Sequence, residues 1–189
     1  MAILPGPAAN KEVEIMLLSG PQIASLLENG VIADADKANI NAASLDVRLG
    51  DYALINMGDD ETIINPADKR ADQFKRVELP YLLPPREFML AFTRETVNLP
   101  DNLSAQVVTK SSAARIGLDH ATAGFCDAGF SGQITLEFVN HSRNSIIIHP
   151  NAKLVQLKFY PHEDAGVYSY RHKGQYIGSV GVVMSKGVR

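Results

Sequence analysis

The sequence predicts a mainly β domain with one short N-terminal helix. Apolar residues recur with a period of two through most of the chain, prolines and glycines cut these runs into short segments, and only one stretch shows a helical period. Short strands with frequent turn residues fit a sandwich or barrel rather than a parallel sheet of alternating strands and helices.

Taken in order, residues 1 to 15 are rich in Ala, Pro and charge without periodicity and read as a flexible extension ahead of Met16. In LSGPQIASLLENG, Ser19 is placed to cap a helix with Gln22 as its capping-box partner. Ile23, Leu26 and Leu27 form one face, and Gly30 ends it. The period then becomes two. Leu45, Val47 and Leu49 alternate in SLDVRLG, and Ile134, Leu136 and Phe138 in QITLEFVN, with further β-rich runs at FMLAFT, SIIIHP and KLVQLKFY. Turns are marked by Pro84-Pro85, Pro100-Asp101, Gly129, Gly132 and Pro150. A chain of 189 residues with 46% hydrophobic content suits one domain, over residues 16–165, with a core of its own.

Composition excludes several classes. A net charge of −3 gives no basic field to hold a nucleic-acid backbone, so nucleic acid is not the expected partner. The single cysteine, Cys126, rules out an intrachain disulfide framework and fits a reducing cytoplasm. No apolar run is long enough for a membrane span, and the N-terminus lacks the order of a secretory signal, so a cytoplasmic protein is expected. Zinc-dependent base deaminases need an H-x-E segment and a P-C-x-x-C pair, which one cysteine cannot supply; zinc is not expected. The histidines, His120 among them, show no ligand spacing and read as surface or hydrogen-bonded residues.

Two clusters can carry chemistry. In TKSSAARIGLDH, Lys110, Ser111, Ser112 and Arg115 place two cations and two hydroxyls close together, either as a phosphate cradle or as an ordinary solvated turn. In TAGFCDAGFSGQITLEFVN, a glycine-rich turn with Asp127 runs into a strand whose core-facing residues leave Glu137 on the opposite face with Gln133, Thr135 and Val139. That face meets either solvent or a cleft. The tail, residues 166–189, combines glycines with aromatic and basic residues and reads either as a frayed end or as a mobile lid over a phosphorylated ligand.

Together these segments resemble the dCTP deaminase family, relatives of the trimeric dUTPases. The resemblance runs from about residue 16 to 185. It is carried by LLSGPQIASLLENG, SLDVRLG, LAFTRETVNLPDNLSAQV, KSSAARIGL, TAGFCDAGFSGQITLEFVN and the Tyr-x-Gly at Tyr176, with Arg115 at the position of an arginine that plain dUTPases lack. It implies a dUTPase-like distorted β-barrel or jelly-roll, a homotrimer with sites between subunits, and hydrolytic deamination of dCTP to dUTP. By the same resemblance Glu137 is the general base, oriented by Arg115 and Ser111, with the main chain near Ala123 placing the water. Lys110, Ser112, Tyr170, Gln175, Tyr176 and Ser179 hold a triphosphate that carries Mg2+, and residues 166–189 form a mobile C-terminal lid.

Two departures stand out. The family tail usually reads Lys-Tyr-x-x-Gln, whereas this chain has Gln175 and Ser179 at the outer positions, with Lys173 or Arg171 as the compensating cation. The turn usually reads Ile-Asp-Pro-Gly, whereas here it reads Cys126, Asp127, Ala128, Gly129; an alanine in the third place also occurs in members that cleave the triphosphate, so the product is expected to be dUMP and pyrophosphate. The alternatives are a dUTP pyrophosphatase using Asp127 alone and a non-catalytic nucleotide-binding regulator of the same fold.

Overall fold

A computed structural model describes residues 17–58, 61, 63–67, 73–121 and 124–188. The N-terminal extension and Ala123 lie outside the described residues. The helix expected from LSGPQIASLLENG is α1 (Gly20–Glu28). Gln22 Oε1 accepts from the Ser19 N–H and from the Ser19 hydroxyl, each at 2.9 Å, and Ile23 is fully buried. Gly30, at φ +71, ends the turn as expected.

The rest is strand. In chain order these are β1 (Ile32–Ala33), β2 (Leu45–Val47), β3 (Tyr52–Asn56), β4 (Phe74–Glu78), β5 (Tyr81–Leu83) and β6 (Phe88–Asn98). Then come β7 (Leu103–Thr109), β8 (Leu118–His120), β9 (Phe125–Cys126), β10 (Ser131–Asn140), β11 (Ile146–Ile148) and β12 (Val155–Pro161). The short helices α2 (Ser111–Ala114) and α3 (Tyr170–Lys173) complete the elements used below. One sheet runs β4-β3-β6-β10-β8 with β1 added to β6, a second runs β2-β12-β7-β9, and β5 pairs with β11 alone.

The predicted alternation holds. Along β10 burial alternates without a break, with Ile134, Leu136 and Phe138 inward, while Val155, Leu157 and Phe159 of β12 face in from the second sheet. Both sets belong to one hydrophobic cluster, each such side chain contributing about 1.5–3 kcal/mol by leaving water. Barrel closure does not follow: among the described residues the ladders remain three separate sheets, with short β8 and β9 at the ends of the larger two.

A carboxylate lies wholly within this core. Glu95 of β6 is fully buried, and Arg48 satisfies both carboxylate oxygens, Nε at 2.7 Å from Oε1 and its own N–H at 2.8 Å from Oε2. Arg48 also donates to the carbonyl of Asp34, whose φ is +62. The pair therefore ties the segment after β1 and the end of β2 to β6, and removing either partner strands a charge.

Candidate functional site

β10 positions the site because it pairs on both edges, with β6 on one side and β8 on the other. Its outward face presents Gln133, Thr135 and Glu137 in succession, as the period of two requires. That face does not meet open solvent. It forms one wall of a cavity of about 590 Å³, whose mouth carries Asp127 from the turn after β9. Phe88, Leu90, Phe125 and Phe130 supply apolar walls, and Tyr170, Tyr176 and Ser179 reach in from the tail. No lysine or arginine lines this cavity among the described residues.

Glu137 is half-buried, and its Oε2 is turned fully inward. His120 Nε2 stands 3.3 Å away, on a side chain that is 3% exposed. The ring is held edge-on to Phe138 at 5.8 Å, and the strand is fixed there by the Ala121 N–H, which donates to the Glu137 carbonyl at 2.7 Å. Cys126, beside Asp127, is a packing group: burial, aided by the nearby carboxylates of Asp127 and Glu137, pushes its thiol up to about 12, where no thiolate forms at neutral pH.

The tail is docked along the same face of β10. Gly132, at φ +144, pairs with Ser179 as an isolated parallel bridge, and a Cβ there would meet the Ser179 backbone at 2.7 Å, so glycine is what permits the approach. Beyond it Gly181 N–H donates to Gln133 Oε1 at 2.6 Å, Val183 N–H to Thr135 Oγ1 at 3.0 Å, and Val182 N–H to the Tyr52 hydroxyl at 3.2 Å. Glu137 is the next residue on that face and stays free for the cavity. Tyr176 is tied to Tyr170, whose hydroxyl accepts from its N–H at 3.1 Å.

The root of the tail is latched at Asp101, which accepts from the Ser169 hydroxyl at 2.6 Å and from Arg171 at 3.3 Å. These contacts, the Ser169 hydroxyl foremost and then the Arg171 charge, hold the Asp101 carboxyl below the usual range. A depressed folded-state value means that the stabilisation is present at neutral pH and is lost as pH falls through that value. Asp101→Asn, which imitates the protonated group, is expected to speed tryptic cleavage after Arg171 and Lys173 several-fold at pH 8; an unchanged rate would show that the latch does not hold the tail.

Of the residues expected at the site, Asp127, Glu137, Tyr170, Tyr176 and Ser179 are brought together around the one cavity. The others are not. Ser111, Ser112 and Arg115 are exposed on and just beyond α2, and Arg115 lines a separate, open depression with Gly117, Ser142 and Asn144. Lys110 is paired with Asp46 of β2, which also accepts from Asn41 at 2.9 Å. Gln175 accepts from Lys186 through its carbonyl; of the two candidate compensating cations, Arg171 is taken up by Asp101 and Lys173 stands over the Tyr168 ring at 5.8 Å, so neither lines the cavity. His120 was not selected by any sequence motif; among the described residues it is the only basic side chain within 4 Å of Glu137.

The family model described as dCTP deaminase-like matches residues 17–162. The chain belongs to that family. A dCTP deaminase, dUMP-forming, from Persephonella marina is 36% identical over 176 residues, covering 90% of this chain and 97% of the relative. A protein of the same description from Streptomyces coelicolor is 35% identical over 181 residues, covering 90% and 95%. The crystal structure of 2'-deoxycytidine 5'-triphosphate deaminase from Agrobacterium tumefaciens superposes with a TM-score of 0.64 at 24% identity. That match covers 77% of this chain and 48% of the other, about half its length, and shows the shared fold. The dCTP deaminase-like match ends before the tail, so the docking of residues 176–183 on β10 lies outside it.

Proposed function

We propose that this chain is a hydrolase that deaminates dCTP and carries the nucleotide on to dUMP and pyrophosphate, as a homotrimer with shared sites. The observation that carries this reading is the placement of Glu137 and Asp127 on one cavity of one chain, within a family whose relatives above are named dUMP-forming.

Two carboxylates serve two attacks. Glu137 takes a proton from water as its oxygen adds to C4 of the cytosine ring and passes that proton to N3; it then takes the proton of the new C4 hydroxyl and delivers it to the amino group, which leaves as ammonia as the C4 carbonyl forms. Asp127, exposed at the mouth, orients a second water toward the α-phosphorus, and cleavage of the bond to the β-phosphate releases pyrophosphate. Apolar walls of phenylalanine and leucine keep competing water from the ring.

Charge supports a shared site. Among the described residues the cavity lining offers two carboxylates and no lysine or arginine to a triphosphate, while α2 and Arg115 leave a guanidinium and two hydroxyls exposed on the same chain's surface. A neighbouring copy that presents Ser111, Ser112 and Arg115 to the cavity completes it. Magnesium is carried by the phosphate oxygens and water rather than by a dedicated protein cage. Bound in that way, magnesium neutralises triphosphate charge. No helix among the described residues is long and apolar enough to cross a membrane.

The test is incubation with dCTP and magnesium followed by nucleotide separation. Wild type is expected to yield dUMP, ammonia and pyrophosphate, and Asp127→Asn to accumulate dUTP at a near-normal deamination rate. Wild type that stops at dUTP, with a product ratio untouched by Asp127→Asn, would reduce the reading to a simple deaminase; absence of any deamination would overturn it.

A further inference from the structure

A general base needs its two oxygens distinguished, so that one always faces the water it deprotonates. In this chain the fold does so with a residue from another strand. Oε2 of Glu137 and Nε2 of His120 are both buried and lack a hydrogen-bond partner, although they face each other at 3.3 Å. Buried polar atoms are rarely left unmatched, and two opposing ones so close need only a small rotation of either side chain to become a donor and an acceptor. Oε2 is thereby committed to the interior, which leaves Oε1 for the cavity that Glu137 lines.

We propose that His120 is a positioning residue for Glu137, donating from Nε2 to Oε2 so that Oε1 alone receives the proton from water. The ladder supports this. β8 pairs with β10 in the register Phe138 to His120, and the ring is wedged edge-on against Phe138, so it has little freedom to leave the carboxylate. No lysine or arginine of the chain lies within 4 Å of Glu137 among the described residues, so this contact is the one the chain itself makes. The other titratable groups around the pair are Asp127 and Cys126, from β9 and its turn, and Asp119, which accepts from the Thr109 hydroxyl at 2.9 Å. A donor to Oε2 holds that oxygen inward and keeps Oε1 turned to the cavity.

The inference rests on Glu137 being the base, and the experiment separates the two. His120→Gln keeps an amide donor at about the distance of Nε2, whereas His120→Asn is too short to reach. With dCTP, His120→Asn is expected to lower kcat about 10- to 100-fold with KM within about threefold. His120→Gln is expected to restore kcat to within about fivefold of wild type. In a Glu137→Gln background, His120→Asn is expected to cost nothing further, a readout that a merely structural role would not give. Equal behaviour of the Asn and Gln variants, or an additive loss in the double variant, overturns the proposal. Wild type that fails to deaminate dCTP sinks the enzymatic reading instead, before any variant is compared.

Discussion

Glu137→Gln is expected to abolish deamination of dCTP, by at least a hundredfold in kcat, while leaving the thermal unfolding midpoint and nucleotide affinity near those of wild type. The amide has the carboxylate's shape and keeps an oxygen to face His120, but cannot take a proton from water. The strand does not depend on the charge: β10 is fixed by pairing with β6 and β8 and by the burial of Leu136 and Phe138 on either side of Glu137. Single-turnover assays with dCTP, beside a binding isotherm for the same nucleotide, measure both halves. A variant retaining more than about a hundredth of the wild-type rate would contradict general-base catalysis.

Arg115→Ala is expected to be nearly as damaging, and its repair is more informative than its loss. If each site takes Glu137 from one copy and Arg115 from the next, mixed trimers of Arg115→Ala and Glu137→Gln chains contain some interfaces with both residues intact. Random assembly from equal amounts gives that arrangement at about a quarter of sites, so roughly a quarter of wild-type activity should return from two inactive parents. The structure motivates this, since Arg115 lies on an open depression and, among the described residues, His120 is the basic group within 4 Å of Glu137. Co-expressed chains purified through two different tags provide the measurement. No recovery in trimers shown to be mixed would mean that the two residues do not act across an interface.

How much of this could be read from the sequence depended on the range of the interaction. The α1 capping residues lie three positions apart, and the alternation of β10 is local, so both could be read from residue order alone. Parity also placed Gln133, Thr135 and Glu137 on one face, and Asp127 and Glu137 belong to one continuous segment. Contacts between distant strands could not be read this way. Lys110 meets Asp46 across 64 residues and Arg48 meets Glu95 across 47, and neither pairing follows from a pattern within one strand because it depends on how strands pair in three dimensions. The same limit applies to His120. Its tripeptide LDH has no distinguishing spacing, and only the β8–β10 register brings the ring to Glu137. The tail was harder still, because what docks it is main chain, and amide groups are identical at every position.

That last property bears on how the tail can change. Gly181, Val182 and Val183 attach through their N–H groups, while the chemistry that receives them belongs to Gln133, Thr135 and Tyr52 in the body of the sheet. Side chains at positions 182 and 183 are therefore free to be exchanged for others of similar bulk without unfastening the segment, so the tail's composition can drift while its path stays fixed. The constraint falls instead on receptors more than forty positions earlier, and a single change of Thr135 to valine would erase an anchor that no inspection of the tail itself would reveal.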